Sequence, residues 1–305
     1  LSWHHTGTLR EVEHHRLETC EKIGVLRLEG PLVLFSRKAI QSEFIRWAKT
    51  RPEVESVVFL ANTIHQLGPS ERENLVALVQ AVRDAEYKVV LAGFTDRVFA
   101  SLGRHGVIDT IGINDVYPSA ASALASLFHE AHTHASEEEC PLRGILPRMV
   151  QLALHPDGSL RDARRHNLAL CTRIVALRFD GPLDYGTIRF FEHELRSALG
   201  KQPSARHVLF AAHTLVRLDP IAAEELSLLV EQLQHDGYTF VFSGLKDEEL
   251  EVLRQNGRSD IISTSAFFPT QAKAIQAIHK VSHADTNETC PLVGVVRINK
   301  ETDEE

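Results

Sequence analysis

The chain has 305 residues, 43% of them hydrophobic and 24% charged, with a formal charge of −8. That length accommodates two domains of ordinary size, each able to bury its own core, and the acidic balance leaves no basic footprint for nucleic acid. No apolar run approaches the roughly 18–20 residues needed to cross a bilayer, and the opening LSWHHTGTLR lacks the apolar stretch of a signal peptide.

Residues 23–28, IGVLRL, alternate weakly and are bounded by Glu29-Gly30-Pro31, which predicts a strand. Residues 37–49 place Ile40, Phe44 and Trp47 at helical spacing behind Ser36 as a cap. Residues 55–61, ESVVFLA, read as a short buried strand. Residues 70–84 carry Leu75, Leu78, Val79 and Val82, an i, i+3, i+4, i+7 stripe. A third strand at 88–92 ends at Gly93, and a short helix follows at 95–103. Residues 107–111 are expected to form a weak fourth strand, and 118–131 a last helix with Ala121, Leu124 and Phe128 inward. Strands separated by single helices imply a mostly parallel sheet covered by helices.

The same order then repeats. GTLREVEHHRLETCEKIGVLRLEGPL, from Gly7, aligns with GSLRDARRHNLALCTRIVALRFDGPL, from Gly158, at an offset of 151. Cys20 falls on Cys171, Phe59 on Phe210, Thr63 on Thr214, Pro69 on Pro220, Tyr87 on Tyr238 and Asp96 on Asp247. Cys140-Pro141-Leu142 recurs as Cys290-Pro291-Leu292 at offset 150. A period this long is duplication of a whole domain, not a solenoid repeat. The expected organisation is a lead-in at 1–21, a first domain at 22–134, a partly docked linker at 135–172, a second domain at 173–285 and a tail at 286–305. The linker includes the apolar run Ile145 to Leu154, more apolar than a solvated tether needs.

VLRLEGPLVLFSR and ALRFDGPLDYGTI resemble the V-L-R-x-D-G-P-L-x-F-A-N pattern of SulP anion transporters. VVFLANTIHQLGPSERENLVAL and VLFAAHTLVRLDPIAAEELSLL have the strand, polar turn and helix of a STAS domain, the module shared by SulP tails and anti-sigma-factor antagonists. GTLREVEHH is similar to the segment that follows the last membrane helix of bacterial SulP proteins. The resemblance implies two tandem STAS-like α/β domains, each a small, mostly parallel sheet packed with about four helices. It further implies a non-enzymatic regulatory or interaction module on the cytoplasmic side of the inner membrane, attached to a sulfate or bicarbonate transporter. The transport domain of the same polypeptide is then the first partner, with a cytosolic regulatory protein or a second copy as further candidates. A free-standing tandem STAS protein in a sigma-factor-type pathway is the alternative. The only Met is Met149, so the chain is expected to be a processed or excised piece.

The antagonist branch is phosphorylated on a Ser or Thr in its turn. Here the turns are Gly68-Pro69-Ser70-Glu71 and Asp219-Pro220-Ile221-Ala222, and proline has no hydroxyl. Asp219 suits a helix N-cap with Pro220 behind it. In the first copy, either Gly68 caps in the same way or Ser70 forms a capping box with Glu73. Gly68, Pro69, Ser70, Asp219 and Pro220 are therefore the candidate ligand or partner contacts.

His129, His132 and His134 lie near Cys140, and the second copy offers His279, His283, Asp285 and Cys290. Both residue types ligate zinc, but the spacing differs between copies and matches no standard finger, so these histidines are read as solvated or capping and no metal is expected. Four Cys are too few for a disulfide scaffold, and a reducing cytosol is the default. Cys20, Cys140, Cys171 and Cys290 are read as small buried hydrophobes. No phosphate-loop or dinucleotide glycine motif is present, so neither a cofactor nor a catalytic residue is expected.

Overall fold

The computed structural model describes residues 1–4, 6, 8–28, 37–132, 139–257, 262–284 and 290–294. Gly30-Pro31-Leu32, Ser36, His134, Asp285 and the tail beyond residue 294, all singled out above, lie outside the described residues. The chain divides into two compact units, Leu1–Leu146 and Pro147–Glu305. Among the described residues no helix is long and apolar enough to cross a membrane.

The first unit opens with a hairpin of β1 (Ser2–His4) and β2 (Thr8–Arg10) and the short helix α1 (Val12–His15). It continues through β3 (Ile23–Arg27), α2 (Arg37–Lys49), β4 (Ser56–Leu60), α3 (Pro69–Asp84), β5 (Lys88–Ala92), α4 (Asp96–Arg104), α5 (Val107–Ile111), β6 (Val116–Tyr117) and α6 (Ala120–Ala131). The sheet is parallel in the order β3-β4-β5-β6. Every residue of β4 is buried, as a central strand covered on both faces requires. The stripe Leu75, Leu78, Val79 and Val82 is the buried face of α3 and joins Val57, Phe59, Val89 and Leu91 in one core. Thr95 and Ser119 cap α4 and α6, their hydroxyls accepting from Val98 N and Ser122 N.

Residues 107–111, expected as the fourth strand, are instead the helical turn α5. Val107, Ile108 and Ile111 are buried at i, i+1 and i+4 spacing, behind Gly106 in the left-handed region with φ 70°. The fourth strand is β6, only two residues long, too short for an alternating pattern to register.

The second unit contains β7 (Arg148–Leu154), β8 (Leu160–Asp162), β9 (Ile174–Leu183), α7 (Ile188–Lys201), β10 (His207–Ala211), β11 (Leu215–Leu218), α8 (Pro220–His235), β12 (Thr239–Ser243), α9 (Asp247–Asn256), β13 (Phe267–Phe268) and α10 (Gln271–Ser282). Its sheet runs β13-β12-β10-β9-β7-β8, with β11 also pairing β9. The strands β9, β10, β12 and β13 repeat β3 to β6 in parallel order. The apolar run expected to serve as a docked linker is a strand of this sheet: β7 pairs antiparallel with β9 and with β8. Val150, Leu152 and Ala153 are buried there, which accounts for the excess of apolar surface. The first copy reproduces the start of this pairing, since the Leu1 nitrogen donates to Val25 O at 2.7 Å, one step beyond the position equivalent to the Gln151–Leu177 pair.

Finer bonds recur too. Thr63 Oγ1 donates to Leu28 O at 2.6 Å and Thr214 Oγ1 to Phe179 O at 3.1 Å, each pinning the turn after a central strand to its neighbour. Gly93 (φ 80°) and Gly244 (φ 67°) end the third strands in the left-handed region, where a side chain is strained.

Candidate functional site

The turn that precedes the long helix is built differently in the two copies. In the second, Asp219 is the N-cap of α8 and Pro220 its first residue. One Asp219 carboxylate oxygen accepts from Ala222 N at 2.7 Å, and the other accepts from Tyr185 N at 3.0 Å. Asp219 therefore fastens the start of α8 to the loop that follows Gly181-Pro182-Leu183. That loop is fixed from inside as well. Asp184 is buried and accepts from Gly186 N and Thr187 N, both at 3.1 Å, while Thr187 Oγ1 donates to Pro182 O at 2.8 Å. Thr187, at the position of the SulP-pattern Asn, is thus spent on holding its own loop.

In the first copy Gly68 is the N-cap of α3 and Pro69 the first helical residue. Gly68 N donates to Glu71 Oε2 at 2.5 Å, so the returning carboxylate comes from Glu71 and not from Glu73. Pro69, Ser70 and Pro220 are exposed, and Gly68 and Asp219 half-buried. An open groove of about 650 Å3 runs along the outer face of α3, from Pro69 past Arg72, Val76 and Gln80 to His105 and Thr110. Each turn presents an exposed proline, Pro69 or Pro220, as the first residue of its helix. Each proline also removes one of the backbone donors that an anion would use.

A second arrangement was only half legible in the spacing of the chain, which brings His132 near Cys140 and His283 near Cys290 but not Cys20 or Cys171 to either. Cys20 lies just before β3, His132 caps the end of α6, and Cys140 precedes the short turn Pro141–Ile145. Their ligand atoms all lie within 4.8 Å of one another, and so do those of Cys171, His283 and Cys290. Cys20 Sγ is 3.2 Å from His132 Nε2, and Cys171 Sγ is 3.6 Å from His283 Nε2. His132 is buried, so it caps its helix without being solvated. All four thiols are free and buried, but each pair is polar in its surroundings. Ile23 N donates to Cys20 Sγ at 3.2 Å and Ile174 N to Cys171 Sγ at 3.3 Å.

The thiol of Cys140, donating to Cys20, lowers the Cys20 pKa to about 6 against the opposing effect of burial, helped by the backbone N–H groups of Ile23 and Lys22. Cys140 is pushed upward, because its proton is held in that same bond and a second buried sulfur charge beside the first is costly. The second copy repeats both shifts, with Cys171 lowered to about 6 by Cys290 and Cys290 raised. The histidine partner stands 112 residues from the first cysteine in each copy, a separation no local motif encodes.

The family model described as "STAS domain" matches residues 14–123 and 167–274. Among solved structures, the chain is similar to the SulP transporter STAS domain of Vibrio cholerae, at 22% identity and TM-score 0.33, covering 39% of this chain and 91% of that one. It is also similar to murine Solute Carrier 26 family member A9, an anion transporter, at 12% identity and TM-score 0.40, covering 70% of this chain and 34% of that one. The unphosphorylated anti-sigma factor antagonist SpoIIAA is similar at 12% identity and TM-score 0.31, covering 36% of this chain and 92% of that one. No curated protein matches the chain.

Proposed function

We propose, from the premise that this chain belongs to the STAS domain family and holds two copies of the domain, that it is the non-enzymatic cytoplasmic regulatory module of a SulP-type inorganic anion transporter. The observation that carries this reading is the lead-in GTLREVEHH at 7–15, shortly before the first VLRLEGPL at 25–32, with the second copy repeating the acidic-Gly-Pro-Leu signature as ALRFDGPL. The helix-start corners support an interaction role: Pro69, Ser70 and Pro220 are exposed, and Asp219 has both carboxylate oxygens engaged in holding the fold. On this reading the transport chemistry, for sulfate or bicarbonate, resides in a membrane domain of the same polypeptide. Gly68, Pro69, Ser70, Asp219 and Pro220 meet that domain, a cytosolic protein or a second copy.

The test has two parts. The reading frame upstream of Leu1 should encode membrane helices continuous with this sequence. A stop codon between them would replace the reading with that of a free-standing tandem STAS protein. In the full-length protein, removing residues 1–305 should change the rate of anion uptake into vesicles while membrane insertion persists. Unchanged uptake would overturn a regulatory role.

A further inference from the structure

The two Cys-His-Cys clusters are repeated features of the fold. Cys20 corresponds to Cys171 and His132 to His283 at offset 151, and Cys140 corresponds to Cys290 at offset 150. A cysteine before the sheet and a His and a Cys that lie close together near the end of the domain thus deliver the same three groups to one point, twice. Buried hydrophobes would need no such agreement, since alanine or valine fills a small core position equally well.

We propose that each copy binds one zinc-class cation through these residues, Cys20, His132 and Cys140 in the first unit and Cys171, His283 and Cys290 in the second. Tetrahedral zinc, with Zn–S near 2.3 Å and Zn–N near 2.0 Å, sets its ligand atoms about 3.5–3.8 Å apart. The second copy holds Cys171 Sγ at 3.5 Å from Cys290 Sγ and 3.6 Å from His283 Nε2. The first holds Cys20 Sγ at 3.2 Å from His132 Nε2, a few tenths of an ångström short of that spacing, with Cys140 Sγ within 4.8 Å of both.

The surrounding groups prepare the ligands. Metal-bound imidazoles ordinarily engage their other ring nitrogen in a hydrogen bond that fixes the tautomer. His132 Nδ1 lies 2.9 Å from Phe128 O, and a stack on the Phe128 ring at 4.4 Å orients the imidazole. His283 Nδ1 lies 2.7 Å from Ser282 Oγ, and its ring stacks on His279 at 4.2 Å. In both copies Nε2 is left facing sulfur. Backbone N–H groups at Ile23, Arg173, Ile174 and Leu292 point at the cysteine sulfurs and compensate thiolate charge. Two thiolates neutralise a divalent cation, which makes burial of the set affordable. Thiolate and imidazole select zinc or a softer ion over magnesium or calcium. Three protein ligands leave a fourth position for a small ligand such as water.

Such a site ties the segment before β3 or β9 to the end of α6 or α10 and to the Cys-Pro-Leu-x-Gly turn. That turn already meets the opening hairpin. A Cβ on Gly144 would lie 2.1 Å from Trp3 Nε1, and one on Gly294 would lie 2.6 Å from Leu154 Cδ2. Metal would therefore fasten the two ends of each domain together and contribute its binding energy to folding.

The experiment is metal titration of the whole chain after reduction and removal of metal under anaerobic conditions. Cobalt(II) should give thiolate-to-cobalt charge transfer and tetrahedral ligand-field bands that saturate at two equivalents. Zinc should displace the cobalt and raise the unfolding temperature. Cys140→Ser should reduce the stoichiometry from two to one, and Cys140→Ser with Cys290→Ser from two to none. His132→Gln should remove the first-site spectrum with both thiols kept, and circular dichroism should show each variant folded. Absence of a thiolate–cobalt band in the wild-type chain would overturn the proposal. Binding indifferent to cysteine substitution would do so too, as would Cys20–Cys140 and Cys171–Cys290 disulfides in the protein isolated without oxidant.

Discussion

Glu86 and Gly237 occupy the same place in the two copies and share the same left-handed backbone, with φ 64° and 84°. Each is the residue after the C-cap of the long helix. Glu86 N donates to Arg83 O and Tyr87 N to Val82 O, while Gly237 N donates to Gln234 O and Tyr238 N to Leu233 O. This is the Schellman closure, in which glycine is favoured because a Cβ is strained there. Glu86→Gly should therefore stabilise the first domain by about 1 kcal/mol. Both tryptophans, Trp3 and Trp47, lie in the first unit, so urea unfolding followed by tryptophan fluorescence isolates the effect. Nothing lies within 4 Å of a Cβ built on Gly237, so Gly237→Ala should cost about 1 kcal/mol from backbone strain alone. Hydrogen exchange across 220–235 reads that loss.

Asp219→Ala removes the acceptor for both Ala222 N and Tyr185 N. The second domain should lose about 1–2 kcal/mol, and the Tyr185 amide should exchange faster together with that of Ala222. Asp219→Asn keeps only one of the two acceptor oxygens, so it should retain part of the stability and speed exchange at one of the two amides, Ala222 or Tyr185. Equal loss in both variants would show that the two bonds hold the turn only together.

Neither turn should accept phosphate on the usual residue. Incubation with an anti-sigma-type kinase, followed by mass spectrometry, should leave Ser70 unmodified, although it is exposed, because it sits one residue beyond the site. Pro69→Ser and Pro220→Ser restore a hydroxyl at the first helical position and should convert the turns into substrates. Phosphate on Ser70 in the wild-type chain would count against the assignment.

The paired thiols give the metal-free, reduced chain a pH profile. Cys20 ionises at about 6 when folded, against an ordinary value of 9. A depressed acid contributes stability that is complete above its unfolded pKa and is lost as pH falls through the folded value. The contribution should therefore decline from pH 9 toward 6. Cys140, raised instead, keeps a proton that the unfolded chain releases, so stability should fall again above pH 9. Cys140→Ala removes the donor to Cys20 and should flatten the gradient between pH 6 and 9, read by urea midpoints from tryptophan fluorescence.

Gly144→Ala should expel Trp3 from its place against the Cys-Pro-Leu-x-Gly turn, because the added carbon would come within 2.1 Å of the indole nitrogen. A red shift and increased quenching of tryptophan emission check this, with Trp47→Phe assigning the change to Trp3.

By itself the sequence determined the duplication, the main helices and central strands of each copy, and the cap at Asp219, because each depends on neighbours a few residues apart or on a constant offset. The stripe Leu75, Leu78, Val79 and Val82 is legible because a helix repeats every 3.6 residues. Asp219-Pro220 is legible because a cap and its helix are contiguous. Two local readings were decided only by the tertiary structure. Residues 107–111 are too few to distinguish helix from strand until Val107 and Ile111 meet a common core. The run 148–154 reads as a linker until β9 supplies its hydrogen-bonding partner. Of each Cys-His-Cys cluster, the nearness of His132 to Cys140 and of His283 to Cys290 was legible in the sequence, but the arrival of Cys20 and Cys171 belongs to the tertiary level. Cys20 and His132 are brought within 3.2 Å only because α6 returns over the sheet to the start of β3. That distance is set by strand order and helix packing, and a separation of 112 positions carries no local trace of it.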